Sequence, residues 1–385
     1  SQCGIVVISY FLNKKSNYAT EATFETTPFK LYRLESGPSS KVTLTKNDAL
    51  DMYLKMNMIR RLSAAASSLY MEKLIRGFCH LYAGEEACAV GIKAALRPKD
   101  TVITAYRAHG WTYLLGNDPG GVLAELTGRE GGNAKGKGGS MHMYVDNFYG
   151  GNGIVGAQVP LGVGVNFAQK YMNTGSICIT LYGDGAANNG QVSEVFNISK
   201  LWNIPVVFVC ENNAYAMGTS CPRAAYNTAY YTRGDHIPGV WVDGMDVLAI
   251  REATKFALDH CLADKGPIIL EADTYRYGGH SMSDPGTSYR TREEIQDVRQ
   301  NRDPLNNLKE RILTSNLVTQ DEIKTIDDHT KKEVDEAVKF ARESPPLPVT
   351  EVGTNVYLNP IEKATRNVTP FKPLDHKSKV PGFRN

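Results

Sequence analysis

The sequence has no long apolar run, no paired-cysteine motif and almost no excess of charge of either sign. Its apolar N-terminal stretch, residues 4–12, is about half as long as the roughly 18 residues of a membrane span. None of the seven cysteines forms a C-x-x-C pair, and their number is odd. This argues against a disulfide framework and structural zinc, and favours a reducing compartment. A formal net charge of +2 with only short basic runs predicts no nucleic-acid surface.

The length of 385 residues, at 42% hydrophobic content, allows one large core with a smaller appendage. Residues 1–23 contain no acid before Glu21, which fits either a transit-peptide remnant or a disordered N-terminus. Residues 24–343 carry the regular patterns and are expected to form the main domain. Residues 344–385 begin with SPPLP and are polar, which predicts a poorly packed tail.

Helical and strand-like patterns alternate along the main domain. Residues 1–45 look irregular, and a long helix is predicted over 45–77, with Thr45 and Asp48 resembling a capping box and Gly77 ending it. Strands are predicted over 100–106, 176–182, 205–211 and 267–273, and helices over 84–96, 190–202, 246–263 and, with two breaks, 292–343. Residues 128–164 and 212–243 are expected to be irregular. The alternation predicts an α/β fold with a mostly parallel sheet and helices on both faces.

A glycine-rich turn, Gly183-Asp184-Gly185 in LYGDGAANNG, follows one predicted strand and precedes a helix. It lacks both the lysine of a P-loop and the G-x-G-x-x-G spacing of a dinucleotide-binding fold. The next strand ends in ENNAYAMG, so Asp184 and Asn213 are expected at neighbouring strand ends, about 4.8 Å apart. One carboxylate, one amide and the Tyr215 carbonyl suit Mg²⁺ and leave positions for a diphosphate. Taken alone, Asp184 could equally be a turn-forming residue and helix cap.

The pairing of GDG with the NN at 212–213 is similar to the diphosphate signature of thiamine diphosphate enzymes. The resemblance extends from about 24 to 343 through these motifs: IRGFCHLYAGEEA, ITAYRAHG, AKGKGGSMHM, GGNGIVGAQVPLG, YGDGAAN, ENNAYAMGTS and YRYGGHSMSDPGTSYRTREEI. In this order they resemble the alpha subunits of mitochondrial pyruvate dehydrogenase first components. The resemblance implies a thiamine diphosphate-binding fold with helical N- and C-terminal extensions. It also implies decarboxylation of pyruvate and reductive acetylation of a lipoyl group in the mitochondrial matrix.

The resemblance further assigns roles to individual residues. It implies Mg²⁺ ligation by Asp184, Asn213 and the Tyr215 carbonyl, and places His80 and His280 on the substrate side. Contacts with thiamine diphosphate are implied for Tyr106, Arg107, Gly153, Val155, Asp184, Gly185, Ala186, Asn213, Arg276 and His280. Arginine suits a diphosphate because its planar fork of donors matches phosphate oxygens. Without the resemblance, His80 would be taken for a helix-end histidine.

Several partners follow from the same resemblance. In this family the carboxylic acid that activates the thiamine belongs to the beta subunit, so an alpha2-beta2 heterotetramer with a shared site is implied, and the chain alone should be inactive. A lipoyl-bearing dihydrolipoamide acetyltransferase would receive the acetyl group. An inhibitory kinase and an opposing phosphatase would act on Ser281, Ser288 and Ser220. Gly156, Pro160 and Gly164 recur at intervals of four, which fits subunit contact or internal packing.

The sequence also departs from the family pattern and leaves alternatives open. Gly278, Ala214, Ala216 and Pro222 stand where His, Arg, Gly and Glu are usual, which puts loop order and kinase recognition in doubt more than catalysis. The branched-chain 2-oxo acid dehydrogenase alpha subunit shares the fold and motifs, although GGHSMSDPGTSYR favours the pyruvate enzyme. A non-catalytic regulatory paralogue is a second alternative. A nucleotide-binding kinase or ATPase is disfavoured because the glycine-rich turn lacks the lysine of a P-loop.

Overall fold

The computed structural model of the chain describes residues 19–357, Asn359 and two short segments, Ala364–Thr365 and Leu374–Asp375. The predicted N-terminal region at 1–23 therefore lies mostly outside the described residues. Its last residues belong to β1 (Glu21–Glu25), which pairs in antiparallel register with β3 (Lys41–Thr45). The prediction that residues up to 45 are irregular is wrong for this part. These short strands pair because Glu21 lies opposite Thr45, which is distant in the sequence. Local periodicity in the sequence does not reveal such a pairing.

The main sheet has six strands in the order β2, β9, β10, β6, β5, β4. Their bounds are β2 Lys30–Tyr32, β4 Thr101–Ile103, β5 Cys178–Gly183, β6 Val207–Asn212, β9 Gly239–Asp243 and β10 Ile268–Asp273. Two further short strands, β7 Tyr215–Ala216 and β8 Thr219–Ser220, pair with each other in a separate antiparallel sheet. In the main sheet, all neighbours run parallel except β2, which is antiparallel to β9. The predicted mostly parallel sheet is confirmed. Strand β9 was missed, because it is a five-residue strand inside a region that otherwise reads as turns.

Both faces of the sheet are covered, as predicted. The helices are α1 Lys46–Met71, α2 Glu86–Ala95, α3 His109–Leu114, α4 Pro119–Leu126, α5 Gln158–Tyr171, α6 Gly190–Leu201, α7 Cys221–Ala224, α8 Val247–Leu262, α9 Arg292–Asn301, α10 Pro304–Thr314 and α11 Gln320–Glu343. Along β6, Val207 and Val209 join the core that contains α1, α2 and α8. Phe208 and Cys210 join the core on the opposite face, under α5 and α6. Alternate side chains of each strand thus enter different cores.

Helix α1 begins as predicted but ends early. Thr45 caps it by accepting the amide of Asp48, at 3.2 Å. The helix ends at Met71 rather than Gly77, because Lys73 takes a left-handed conformation with φ 63°. Leu74 N and Ile75 N then donate back to Leu69 O, at 3.0 and 3.3 Å, and satisfy the end of the helix.

Three helices, α9 to α11, follow the last strand of the main sheet. Helix α11 carries the capping box expected at TQDE, with Thr319 and Glu322 bonding reciprocally. It packs against α1 and α4, where Val334, Ala337 and Ala341 join a third core. The start of the tail is anchored, because Ser344 Oγ and Pro345 O accept the amides of Gly131 and Glu130. Further along, Val349 and Val352 are exposed, and the poorly packed tail stays a prediction.

Helix α5 shows which of its glycines serve internal packing. A Cβ atom at Gly162 would lie 2.2 Å from Thr180 Oγ1 of β5, so this glycine permits helix and sheet to approach. A Cβ atom at Gly164 would meet nothing within 4 Å. Internal packing therefore does not account for Gly164, and subunit contact stays a prediction. Leu161 and Phe167 on the same helix are also exposed.

Candidate active site

The candidate site lies where four adjacent parallel strands end. Segments following β4, β5, β6 and β10 meet at one edge of the sheet, as expected for ligand sites in such folds. They border a cavity of about 290 Å³. Eight of the predicted site residues line this cavity: Tyr106, Val155, Asp184, Gly185, Ala186, Asn213, Tyr215 and His280.

Asp184 follows the end of β5 and is buried, with 2% of its surface exposed. Its Oδ2 lies 3.4 Å from the thiol of Cys221, which donates to it. Burial raises the pKa of Asp184, while the Cys221 thiol and the backbone amides of Asp184 and Asn213 act in the opposite direction. The Asp184 carboxylate thus contacts the neighbouring strand end, where Asn213 lies. Asp184 and Asn213 line the same cavity, and their binding of a cation stays a prediction.

Asn213 presents its oxygen without a partner. Its Nδ2 donates to Glu85 Oε1 at 2.9 Å, whereas its buried Oδ1 accepts no hydrogen bond. A buried acceptor left unpaired costs free energy unless a ligand satisfies it. The Tyr215 carbonyl, the third predicted ligand, lies 3.5 Å from Arg276 Nη1. A carboxylate, an unpaired amide oxygen and a carbonyl are the oxygen donors that suit a hard cation.

The turn after β5 offers room for a polar ligand. Gly185 and Ala186 both line the cavity, and Ala186 begins a short 3₁₀ turn, Ala186–Asn188, that leads to α6. Asn189 caps α6 by accepting the amide of Gln191 at 3.0 Å. A glycine at 185 keeps the strand end open, because it carries no side chain into the cavity.

Arg107 and Arg276 are buried, but their donors serve the protein. Arg107 Nη1 donates to Leu81 O at 2.6 Å, and its Nη2 to His280 O at 2.9 Å. Arg276 donates to Met217 O at 3.2 Å and to Tyr289 Oη at 3.0 Å. Neither arginine lines the cavity as described. Both connect the segments that border it, so their direct contact with a diphosphate stays a prediction.

Three aromatic rings lie together, of which Tyr106 and His280 line the cavity whereas His80 does not. The ring centroids of His80 and Tyr106 are 4.5 Å apart, and His280 lies 5.2 Å from each. Burial and the nearby Arg107 charge lower the pKa of His80 to about 3 and that of His280 to about 4. Both histidines are therefore neutral at physiological pH. Their Nδ1 atoms are buried without a hydrogen-bond partner.

Gly153 and Val155 lie on the open rim of the site. Both are exposed, Val155 by 54%, and Val155 also borders the cavity. Its carbonyl accepts Asn189 Nδ2 at 3.1 Å, which ties this rim to the start of α6. Gly153 is therefore near the site without lining the described cavity.

Comparison with known proteins identifies the family. The family described as Dehydrogenase E1 component matches residues 54–350. A Caenorhabditis elegans protein named probable pyruvate dehydrogenase E1 component subunit alpha, mitochondrial, is 59% identical over 91% of this chain and 88% of its own length. The type II Ascaris suum subunit alpha is 60% identical, covering 89% and 87%, and the human somatic form is 56% identical, covering 89% and 87%.

The chain belongs to the dehydrogenase E1 component family. This confirms the predicted family and, because its members depend on thiamine diphosphate, the organic part of the predicted cofactor set. The three relatives are mitochondrial by name, which supports the predicted localisation. In the described part of this E1 chain, no helix is both long and apolar enough to cross a membrane. The six cysteines within that part are free, in agreement with the argument against a disulfide framework, and all six are buried.

The three predicted phosphorylation sites of this E1 chain differ in exposure. Ser288 is exposed, Ser220 is half-buried at the start of α7, and Ser281 is buried. Ser281 Oγ lies 2.7 Å from Ser283 Oγ, and the turn is closed by Asp284, whose carboxylate accepts the His280 amide at 2.6 Å. Modification of Ser281 therefore requires this turn to open.

The departures from the family pattern have local consequences. Ala214 takes a left-handed conformation with φ 72°, which is strained for a residue with a side chain. A Cβ atom at Gly278 would meet nothing within 4 Å, and the Gly278 carbonyl accepts Arg276 Nε at 3.2 Å. Pro222 lies in the first turn of α7, where proline is tolerated. Gly278 and Pro222 therefore fit the conformation of their segments, whereas Ala214 holds a strained backbone.

Glu125 is a functional candidate that the sequence did not reveal. It lies on α4, fully buried, and its carboxylate accepts four backbone amides of the glycine-rich loop: Ala134, Gly136, Gly138 and Gly139. The same loop continues to Ser140, whose Oγ accepts the His80 amide at 3.2 Å. The expectation that 128–164 has no regular structure holds up to the start of α5. A buried glutamate organises this segment beside the site.

Within the described residues, no group of three or more His, Cys, Asp or Glu side chains converges on one point. The predicted cation site has one carboxylate and two neutral oxygens, so it would not form such a group. This composition is compatible with Mg²⁺, which uses few carboxylates when phosphate oxygens complete its shell.

Proposed function

We propose that this chain is the alpha subunit of a pyruvate dehydrogenase first component. With a beta subunit it catalyses the thiamine diphosphate- and Mg²⁺-dependent oxidative decarboxylation of pyruvate, in the mitochondrial matrix. The acetyl group passes reductively to the lipoyl group of a dihydrolipoamide acetyltransferase. The names of relatives at 56–60% identity support this substrate and reaction.

The observation that carries the proposal is the pair of strand ends at Asp184 and Asn213. One provides a buried carboxylate, the other a buried amide oxygen with no protein partner, and both line one cavity. Asp184, Asn213 and the Tyr215 carbonyl would hold Mg²⁺, and Gly185 and Ala186 would leave space for a diphosphate. Thiamine diphosphate, when bound, supplies the electron sink for decarboxylation.

Neutral histidines would act on the substrate side. His80 and His280 have unpaired Nδ1 atoms and lowered pKa values, so each can donate or accept one hydrogen bond without adding charge. Their contact with Tyr106 fixes the ring positions. The two rings can therefore orient a carboxylate or carbonyl of pyruvate and hold a proton at Nδ1 or Nε2.

The site requires a second chain. Among the described residues that line the cavity, Asp184 is the one acid, and it is committed to the cation. The acid that activates the cofactor would come from the beta subunit of an alpha2-beta2 heterotetramer. The exposed Ile154 and Val155 at the rim are suited to be covered by that partner.

Regulation would act through the turn that carries His280. We propose phosphorylation by a dedicated kinase at Ser281, and at Ser288 and Ser220, with reversal by a phosphatase. A phosphate on Ser281 adds about −1.5 to −2 charge next to Asp284, whose carboxylate holds the His280 amide. Like-charge repulsion would open the turn and displace His280 from Tyr106.

Co-expression with a beta subunit tests the proposal. Calorimetry of the complex with thiamine diphosphate and Mg²⁺ should show binding that Asp184→Asn weakens strongly, and a decarboxylation assay should show turnover of pyruvate only with both chains present. Glu130→Gln, an exposed acid away from the cavity, is the matched control. Faster turnover of 2-oxoisovalerate than of pyruvate would indicate a branched-chain enzyme instead. Absence of cofactor binding would indicate a non-catalytic paralogue.

A further inference from the structure

Glu85 lies between two of the proposed functional residues. It is 1% exposed, and its Oε1 accepts Asn213 Nδ2 at 2.9 Å. Its Oε2 forms an ion pair with Arg107, 3.5 Å from Nε. Glu85 is the residue immediately before α2, yet its side chain makes no capping bond to that helix. Its carboxylate is thus directed to the site rather than to the helix that it precedes.

The backbone that carries Glu85 is fixed by contacts on its other side. Gly84 has φ +102°, and a Cβ atom there would lie 2.2 Å from Tyr275 O. Ala83 O accepts the Tyr277 amide at 3.0 Å. The turn before α2 is therefore held by the segment that follows β10, independently of Asn213. Glu85 is thus a hydrogen-bond acceptor in a fixed position, and the Asn213 amide orients relative to it.

This orientation decides what Asn213 offers to a cation. An asparagine amide has one acceptor end and one donor end, and only the oxygen can bind a cation. Because Nδ2 is bound to Glu85, Oδ1 is left buried and unpaired while the residue lines the cavity. In the flipped orientation the NH₂ group would replace Oδ1, and Oδ1 would lie against the Glu85 carboxylate.

We propose that Glu85 is a positioning residue that fixes the Asn213 amide with its oxygen towards the cation. This inference rests on the proposed Mg²⁺–thiamine diphosphate site and adds a residue that acts through Asn213. The same carboxylate holds Arg107, which in turn donates to His280 O at 2.9 Å. Glu85 thereby links the cation side of the cavity to its histidine side.

The test measures metal binding rather than turnover. In the alpha–beta complex saturated with thiamine diphosphate, Mg²⁺ affinity is measured by calorimetry, and Mn²⁺ affinity by electron paramagnetic resonance. Loss of an outer partner of a metal ligand typically weakens metal binding about 10- to 100-fold, and this is expected for Glu85→Leu. Glu85→Gln keeps an acceptor for Asn213 Nδ2 and should stay close to the wild type. Equal affinities of wild type and Glu85→Leu, or equal losses in both variants, would overturn the proposal.

A second substitution separates orientation from general damage. In Asn213→Asp both ends of the side chain are oxygens, so orientation no longer matters, and the charge of Glu85 now repels the new carboxylate. Adding Glu85→Leu to Asn213→Asp should therefore tighten Mg²⁺ binding, although the same change weakens it in the wild-type background. If Glu85→Leu weakens binding equally in both backgrounds, its role is structural and the proposal fails.

Glu86→Gln is the matched control. Glu86 is the adjacent buried acid, but it pairs with Arg60 and accepts the Gly84 amide at 3.0 Å. Its substitution should lower the melting temperature and leave Mg²⁺ affinity unchanged; a loss of Mg²⁺ affinity here as large as that of Glu85→Leu would overturn the proposal. Failure of the wild-type complex to bind Mg²⁺ with thiamine diphosphate would overturn the proposed function as well. A wild type that binds while Glu85→Leu binds equally well overturns only the role of Glu85.

Discussion

A Cβ atom at position 185 would lie 2.6 Å from Cβ of Ala216, so Gly185 and Ala216 are in contact across the ends of β5 and β6. Both residues line the cavity. Gly185 is therefore required for steric reasons, because a side chain there would collide with Ala216. Backbone conformation does not require a glycine here, since φ of Gly185 is −66°, outside the left-handed region. The cavity therefore depends on a pair of small residues rather than on one glycine.

Gly185→Ala should weaken the binding of thiamine diphosphate, because the added methyl group would collide with Ala216. Forcing an extra methyl into a packed site costs about 1–3 kcal/mol, and here the displaced residue borders the cavity. Ala216→Gly removes the opposing Cβ and leaves the Ala216 Cα at 3.4 Å, an ordinary contact. The double variant should recover part of the thiamine diphosphate affinity measured by calorimetry. No recovery would mean that the new methyl group acts inside the cavity and not through Ala216.

Glu125→Gln should loosen the glycine-rich loop. The carboxylate accepts Ala134 and Gly136 amides at Oε2, both at 2.8 Å, and Gly138 and Gly139 amides at Oε1. A glutamine would present an NH₂ group to one pair of donors, and each buried group left unpaired costs about 1–3 kcal/mol. Hydrogen exchange of residues 134–139 should accelerate. Unchanged exchange would show that the loop is held by its other contacts.

Glutamate substitutions should distinguish the two serines of the His280 turn. Ser281→Glu places a charge in a buried position three residues before Asp284, which holds the turn through the His280 amide and Tyr289 Oη, each at 2.6 Å. Faster hydrogen exchange over 278–290 and lower overall activity are expected. Ser288→Glu, at an exposed position, is the control and should change exchange much less. Equal effects would mean that burial of Ser281 is not decisive.

His109 should make the complex sensitive to acid. Its pKa is lowered from 6.5 to about 4, because it is buried and close to Arg107. The folded state keeps it neutral, while the unfolded chain gains a proton below pH 6.5. Its contribution, on the order of 3 kcal/mol, is complete above pH 6.5 and is lost as the pH falls towards 4. His109→Gln should therefore show a shallower fall of melting temperature over this window.

Ser63→Ala provides the matched control for this titration. Ser63 Oγ lies 2.9 Å from His109 Nε2, so the variant loses a buried hydrogen bond but keeps the titrating ring. Its melting temperature should be lower at neutral pH, with the same dependence on pH as the wild type. If His109→Gln keeps the full wild-type slope, the acid sensitivity comes from His80 and His280, whose pKa values are also lowered.

The sequence by itself determined the alternation of strands and helices and the location of the site at strand ends. Strands β5, β6 and β10 are apolar runs bounded by turns, and the α11 capping box lies within four residues, so the information for each is local. The rule that parallel strands gather ligands at their carboxyl ends then placed Asp184 and Asn213 together. Nothing beyond pattern and chemistry was needed for that pair.

The tertiary structure decided what depends on partners distant in the chain. Strands β1 and β9 exist because they pair with β3 and β10, and their own residues are too few to show a period. Glu85 acts through Asn213, which lies 128 residues further along the chain and reaches it only after folding. Hydrogen-bond geometry of this kind is set by the packing of whole elements. The sequence therefore named the groups that meet at the site, whereas the fold decided which end of each side chain faces it.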